Sequence, residues 1–283
     1  GYPQVRMVCL MELSSHLIQG SEFDRYDVNE MRLAARLSAS ASDNSITLFD
    51  KGFYSPGLLH HWQNAGKNRH WLLPLKKNVQ YDVIHKLGRQ DSLVRIRTTP
   101  QAKKQWSGLP EEITARLVTR KIDGVERQIL TSLTDACRYP GADVAELYRH
   151  RWEIELGYRE AKQGLLCNRW TLRSRLPEMV RQELWGVLLT YNLVRYQMVR
   201  MAFHLKGDYL PYQLSFSSAI TEMMRLLITL PWASPGTVPG ELKRFYEQAR
   251  HCVLPLRRER SYPREVRAKC KKYPDRKAAG HLK

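Results

Sequence analysis

The sequence has few of the residues that mark several common classes of protein. Its five cysteines are odd in number, and no two of them show the CxxC spacing of a zinc or redox site. We therefore predict reduced thiols in a cytosolic protein, without a disulfide framework or a zinc site. The nine histidines show no metal-ligand spacing, and no GxGxxG, P-loop or HExxH motif is present.

Long apolar runs are also scarce. The longest candidate, residues 184–194, is interrupted by Trp185, Gly186, Thr190 and Asn192 and is too short to span a bilayer. We predict a buried helix there and no association with a membrane.

Acidic residues are few relative to basic ones. Lys and Arg number 46 against 28 Asp and Glu, which gives a formal net charge of +18. This excess favours a polyanionic partner, with nucleic acid as the first candidate. An anionic membrane surface is the second, but the sequence shows no long amphipathic basic helix that would bind one. A ribosomal-type structural protein is a further alternative, although seven Trp and a hydrophobic content of 43% indicate a globular protein with a full core.

The stretch 148–162 (YRHRWEIELGYREAK) carries the most specific pattern. On a continuous α-helix, Tyr148, Arg151, Glu155 and Lys162 would project within an arc of about 60°. A carboxylate among a phenol, a guanidinium and an ammonium suits an acid that holds a metal ion, flanked by groups that hold phosphates. The alternative is a solvated helix face with ordinary i, i+4 ion pairs.

A second acid follows a predicted buried strand. Residues 46–49 (ITLF) lead directly into Asp50, and Gly52 lies two residues later. In α/β folds, catalytic groups often lie at the carboxyl end of such strands. The alternative for Asp50 is a helix cap or a turn residue.

The remaining pattern alternates strands and helices. We predict strands at 5–13, 16–26 and 71–75, a helix at 29–37 capped by Asp27, and helices at 143–162, 180–203 and 214–230. The segment 76–133 reads as β-rich, with an outward basic set comprising Arg95, Arg97, Lys103, Lys104, Arg116, Arg120 and Lys121. Such a face can follow a phosphate backbone, or it is an ordinary solvated strand face.

The sequence resembles the IS4 family of bacterial insertion-sequence transposases in two motifs. The upstream motif is Asp50, Gly52 and Phe53, and the downstream motif is Tyr148, Arg151, Glu155 and Lys162. The Tyr-x2-Arg-x3-Glu-x6-Lys signature of that family is matched without a gap. The resemblance implies an α/β fold with an RNase H-like core, a β-rich insertion between the second and third acidic residues, and C-terminal helices. It also implies DNA cleavage and joining at insertion-sequence ends by metal-dependent phosphoryl transfer.

The resemblance assigns roles to individual residues. Asp50 and Glu155 would be catalytic acids and metal ligands in a site with two Mg²⁺ or Mn²⁺ ions, and Tyr148, Arg151 and Lys162 would bind DNA. Because paired metal ions lie about 3.5–4 Å apart, the two carboxylates should lie within about 8 Å of each other.

The resemblance also implies a domain order. Residues 1–75 would form the first part of the core, 76–135 the insertion, 136–205 the second part of the core, and 206–256 a C-terminal helical region. The composition of residues 257–283, with 11 basic and 3 acidic side chains, separately predicts a disordered tail that grips nucleic acid or only aids solubility. We expect the first core strand and the first catalytic Asp to be missing, since none of Glu12, Asp24 and Asp27 lies in a matching motif.

Three functions stay open at this point. The first is a DNA transposase in the bacterial cytoplasm, associated with the nucleoid, which works as a homodimer in a synaptic complex and is inactive alone without the first Asp. The second is a non-catalytic DNA-binding remnant of a transposase. The third is an RNase H-like nuclease.

Overall fold

The computed structural model describes residues 4–122, 124–161, 172–206 and 209–254. Lys162 and the predicted basic tail, 257–283, lie outside these residues. All elements below belong to the unit that ends at Val253.

The chain begins with a two-stranded antiparallel sheet. Strand β1 spans Val5–Met11 and strand β2 spans Ile18–Arg25, which confirms the first two predicted strands. Helix α1, Glu30–Leu37, packs on this hairpin and buries Leu33, Ala34 and Leu37.

The cap of α1 differs from the prediction. The side chain of Asn29 accepts a hydrogen bond from the backbone N–H of Met31 at 2.9 Å, whereas the carboxylate of Asp27 lies 2.6 Å from Nη2 of Arg25. The prediction of Asp27 as the cap was therefore wrong, because Asp27 pairs with a neighbouring cation and Asn29 meets the open N–H groups of the helix.

A six-stranded sheet forms the centre of the described structure. Its strand order is β3-β4-β8-β7-β6-β5; β3 and β4 are parallel, and all other neighbours are antiparallel. Helix α2, Pro56–Asn64, is the crossover that a parallel pair requires. The strands are β3 (Ser45–Leu48), β4 (Arg69–Pro74), β5 (Asp82–Gly88), β6 (Asp91–Arg97), β7 (Glu112–Ile122) and β8 (Val125–Thr131).

The predicted β-rich segment continues this sheet. Strand β8 pairs with β4 at Leu72↔Thr131, so β5 to β8 add to β3 and β4 edge to edge. A short helix, α3, Pro100–Gln105, joins β6 to β7. The described strands thus fall into two sheets, and the RNase H-like arrangement with a distinct insertion stays a prediction.

One member of the predicted basic face points inward. Arg116 is fully buried, its Nε lies 2.7 Å from Oδ1 of Asp91, and its Nη1 donates to the carbonyl of Tyr139 at 2.7 Å. Its outward placement was wrong, since β7 is buried on both faces at positions 115–118 and helix α4, Gly141–Arg149, packs against this strand. The guanidinium therefore serves the fold and is not available to a phosphate backbone.

Five further α-helices follow in the described part of the chain. They are α4 (Gly141–Arg149), α5 (Glu153–Arg159), α6 (Pro177–His204), α7 (Phe216–Thr229) and α8 (Val238–Glu247). The prediction of one continuous helix over 143–162 was wrong, because a 3₁₀ turn, His150–Trp152, separates α4 from α5. The backbone of His150 stays right-handed at φ −68° and ψ −8°, so the chain keeps its helical path while its hydrogen bonds tighten.

Helix α6 is amphipathic and only half buried. Leu184, Leu188 and Tyr191 face the core, whereas Trp185 and Leu189 are exposed, so the predicted buried helix holds for one face only. Within the described residues, no helix combines the length and apolar character needed to cross a membrane.

Candidate active site

The position of Asp50 follows from the end of strand β3. The backbone N–H of Phe49 donates to the carbonyl of Leu72 at 2.8 Å, and the buried Phe49 ring packs edge-on against Trp62 with centroids 5.0 Å apart. Asp50 comes next, with 59% of its side chain exposed. It precedes the 3₁₀ turn Lys51–Phe53 but its side chain makes no capping hydrogen bond, so the cap interpretation does not describe it.

Arg151 joins Asp50 to Glu155. Nη1 of Arg151 lies 3.2 Å from Oδ1 of Asp50 and 3.4 Å from Oε1 of Glu155, which is in the first turn of α5. The two carboxylate oxygens are therefore at most the sum of these distances, 6.6 Å, apart. This satisfies the predicted limit of about 8 Å for ligands of paired metal ions.

The ion pairs of Arg151 with Asp50 and Glu155 contribute little to the stability of the fold. The side chain of Glu155 is 42% exposed and that of Arg151 is 23% exposed, so water screens both ion pairs. Exposed pairs of this kind contribute about 0–1 kcal/mol to stability. Two acids from distant parts of the chain thus face one guanidinium.

Tyr148 lies behind Arg151. Its half-buried ring packs against an apolar cluster that includes Leu72, Val118 and Val144, and the guanidinium carbon of Arg151 is 6.0 Å from the ring centroid. Tyr148 therefore supports Arg151 from the protein side. The fourth residue of the signature, Lys162, lies outside the described residues.

Asp50, Arg151 and Glu155 lie at a cleft between the two sheets. The cleft has a volume of about 1590 Å³ and is lined by residues of β1, β3 and α5, together with Asp50, Arg151 and Glu155. Among the described strands, β1 pairs only with β2 and β3 only with β4. Each strand thus has one edge without a ladder partner in the described structure.

Three further acids line the cleft, Glu12, Glu30 and Asp43, and the carboxylate of Glu12 is engaged in local hydrogen bonds. The carboxylate of Glu12 accepts hydrogen bonds from the backbone N–H groups of Ser14 and Ser15, at 3.0 and 2.7 Å, and from both hydroxyls. Burial alone would raise the pKa of Glu12, but these hydrogen bonds lower it. Across the described ranges, no three His, Cys, Asp or Glu side chains are grouped so that they would hold a metal ion.

A largely buried charged cluster beside this site was not predicted from the sequence. It comprises His16, Glu153, Glu160 and Arg195. The available signal was the spacing of Glu153 and Glu160, seven positions apart and therefore on one helix face, opposite Glu155. Nothing in the sequence pairs that face with His16 or Arg195.

Comparison with known proteins identifies related chains. Residues 1–193 match the family described as the transposase DDE domain. The chain is 54% identical over 273 residues to the "Transposase InsG for insertion sequence element IS4" of Escherichia coli, an alignment that covers 96% of this chain and 62% of that protein.

Two further relatives match over shorter stretches. A "Putative transposase InsZ" of Escherichia coli is 47% identical over 83 residues, which covers 29% of this chain and 28% of that protein. A "Putative transposase y4zB" of Sinorhizobium fredii is 28% identical over 179 residues, which covers 60% of this chain and 46% of that protein. The chain thus spans less than two thirds of the length of each of these relatives.

Proposed function

The chain belongs to the transposase DDE domain family, in its IS4 branch, and on this premise we propose that it acts in the cutting and joining of DNA at insertion-sequence ends. The single observation that carries the proposal is the meeting of Asp50 and Glu155 on one side chain, Arg151. Two acids separated by more than a hundred residues face one cation at the end of a strand, which is where α/β folds hold catalytic groups.

The donors fit a divalent metal ion. Asp50 and Glu155 supply exposed carboxylate oxygens, which are the ligands that Mg²⁺ and Mn²⁺ prefer, and the oxygens are close enough to serve one ion or a pair. When bound, such ions would lower the pKa of an attacking water or 3′-hydroxyl and stabilise the leaving oxygen of a phosphodiester. The role of Asp50 and Glu155 would be to hold the metal ions in a fixed position and orientation.

The neighbouring side chains suit phosphate binding. Arg151 lines the cleft with a planar guanidinium, and such a group forms paired hydrogen bonds with phosphate oxygens. Tyr148 keeps that guanidinium near the two acids. We assign Lys162 a phosphate contact from the signature alone.

The cleft supports a further part of the proposal, namely that an additional extended segment supplies a third carboxylate. Strands β1 and β3 line the cleft, and each has one edge without a partner among the described strands. An added strand would satisfy those backbone groups and bring an acid to the end of the sheet that carries Asp50. The longer relative leaves chain length for such a segment.

The second candidate is a DNA-binding chain that does not cut. It is favoured by the finding that, in the described ranges, Asp50 and Glu155 have no third acid beside them. The net charge of +18 suits DNA binding in both cases. In both cases we propose action at the bacterial nucleoid in the cytoplasm, with two copies joining two DNA ends.

A cleavage assay tests the proposal. DNA carrying an insertion-sequence end is incubated with Mg²⁺ and either this chain or a version extended upstream. We expect the extended version to nick and join the DNA, and Asp50→Asn or Glu155→Gln to abolish both steps. Cleavage that survives both substitutions would overturn the assignment, whereas DNA binding without cleavage by either version would favour the second candidate.

A further inference from the structure

A buried charged cluster lies on the side of α5 that faces away from Glu155. It contains the imidazole of His16, the carboxylates of Glu153 and Glu160, and the guanidinium of Arg195. His16 is 1% exposed and Arg195 is fully buried. Charged groups are rarely buried so completely unless they are paired, and here each cation has an acidic neighbour.

The contacts within the cluster are continuous. Nε2 of His16 lies 3.1 Å from Oε2 of Glu153, and Nδ1 of His16 lies 2.7 Å from Nη2 of Arg195. The same Nη2 contacts the carboxylate of Glu160, and Nε of Arg195 donates to the hydroxyl of Tyr191 at 3.2 Å. Helix α5, which carries Glu155, is therefore attached at both ends: Glu153 in its first turn contacts His16, and Glu160 just after its end contacts Arg195.

The cluster ties three parts of the fold together. His16 belongs to the turn between β1 and β2, the two acids flank α5, and Arg195 belongs to α6. Asn192, also on α6, exchanges two hydrogen bonds of 2.9 Å with the backbone of Ile18 at the start of β2. The hairpin, α5 and α6 are thus fixed to one another by polar contacts as well as by packing.

His16 adopts a conformation that needs support. Its φ is +60°, in the left-handed region that non-glycine residues rarely occupy. Its ring stacks on Tyr212, with centroids 5.9 Å apart and planes 12° apart. Such strain persists where surrounding contacts determine the conformation, and here those contacts belong to the cluster.

We propose that His16, Glu160 and Arg195 are positioning residues for Glu155. They fix the rotation and height of α5 and so keep the Glu155 carboxylate within reach of the cation that it shares with Asp50. None of the three has a contact to Asp50 or Glu155 among those found in the described structure, so they act through the helix. This inference rests on the proposed function, because it takes Asp50 and Glu155 as partners at one metal ion.

The experiment measures Mn²⁺ binding by electron paramagnetic resonance on the folded chain at about pH 6. His16→Gln and Glu160→Gln are compared with Asp91→Asn, which makes the same acid-to-amide change in the buried Arg116–Asp91 pair of the large sheet. We expect the first two variants to bind Mn²⁺ roughly tenfold more weakly, as when groups that orient metal ligands are removed. Asp91→Asn should lower the melting temperature and leave Mn²⁺ binding unchanged.

The two test variants also separate positioning from simple charge effects. Glu160→Gln removes a negative charge, which would weaken cation binding at a distance, whereas His16→Gln removes a positive charge when His16 is protonated and would strengthen it. Positioning predicts weaker binding in both. Arg195→Lys retains the charge but not the forked geometry, and we expect it to weaken binding as well, so it serves where His16→Gln does not fold.

The outcomes are distinguishable. If Asp50→Asn leaves Mn²⁺ binding unchanged, the proposed function fails. If Asp50→Asn weakens binding but folded His16→Gln or Arg195→Lys binds Mn²⁺ as tightly as the original chain, the positioning role alone is overturned.

Discussion

Nη1 of Arg151 lies 3.2 Å from Oδ1 of Asp50, although the two residues are 101 positions apart in the sequence. The same nitrogen is 3.4 Å from Glu155, so the guanidinium occupies the space between two carboxylates that we propose for a divalent cation. Arg151 is also the side chain that we assign to a DNA phosphate. Metal binding and DNA binding would therefore both draw on the position of this one residue.

The first prediction concerns competition between Arg151 and the metal ion. In the absence of DNA, Arg151→Ala should bind Mn²⁺ several-fold more tightly than the original chain, because both carboxylates are freed from their ion pairs. Electron paramagnetic resonance titration measures the affinity. Arg159→Ala is the matched control, since Arg159, at the end of the adjoining helix α5, lines the same cleft. If Mn²⁺ affinity rises equally in both variants, the cause is the loss of any positive charge near the cleft and not the release of the two carboxylates.

The second prediction concerns DNA. Arg151→Ala should weaken binding to DNA and lower the slope of log affinity against log salt concentration by about one, because one phosphate contact is lost. Fluorescence anisotropy at several salt concentrations gives the slope. Arg244→Ala removes a cation on α8 that pairs with Glu241 and should leave the slope close to its original value. An unchanged slope for Arg151→Ala would contradict the phosphate role.

The third prediction concerns the pH dependence of stability. Burial alone would lower the pKa of His16, but Glu153 and Glu160 outweigh burial and the charge of Arg195 and raise it above 6.5. A raised pKa in the folded state means that protonated His16 stabilises the fold fully below 6.5, and that this contribution is lost as pH rises through the folded value. The melting temperature should therefore fall as the pH rises from 6.5 through the folded-state pKa of His16.

His16→Gln provides the comparison for this pH effect. The variant should melt at a lower temperature at acidic pH and lack the decline above 6.5. Glu160 acts in the opposite direction: burial alone would raise its pKa, but His16 and Arg195 lower it, so its contribution is lost as pH falls through its folded value. The same decline in the original chain and in His16→Gln would show that another group is responsible.

The fourth prediction uses two helical glycines. A Cβ added at Gly157 would lie 2.7 Å from Sδ of Met11 and 3.3 Å from the hydroxyl of Tyr191, whereas one added at Gly186 would meet nothing within 4 Å. Gly157→Ala should destabilise the fold by about 1–3 kcal/mol through overpacking between α5, β1 and α6. Gly186→Ala should stabilise it by up to about 1 kcal/mol. Chemical denaturation measures both, and equal effects would contradict the close approach at Gly157.

The sequence predicted elements well where one local pattern decides them. The strand predicted at 46–49 is present as β3, Ser45–Leu48, and ends before Asp50, although its side chains are only partly buried and Phe49 alone is buried. Strand β5 lies in the segment predicted only as β-rich, and its bounds could not be predicted because its side chains are almost all exposed and lack the alternation of a half-buried strand. The continuous helix over 143–162 was also wrong, since helical periodicity does not distinguish a 3₁₀ turn from an α turn.

Contacts between distant residues were predictable only in part. The approach of Asp50 to Glu155 followed from the resemblance to a family, and the structure places both against Arg151. The burial of Arg116 depends on α4 covering one face of β7, which no local pattern records. The same holds for His16 and Arg195, which are 179 positions apart and meet only after the hairpin packs on α6.

The most direct test of the account is whether Asp50 and Glu155 share a divalent cation. Mn²⁺ binding is measured for the original chain, Asp50→Asn, Glu155→Gln and the double variant, with Glu126→Gln on β8 as an exposed acidic control. A shared site predicts that each single variant loses most of the affinity and that the double variant is little worse than either, because both remove the same ion. Additive losses in the double variant, or single losses no greater than that of Glu126→Gln, would contradict the account.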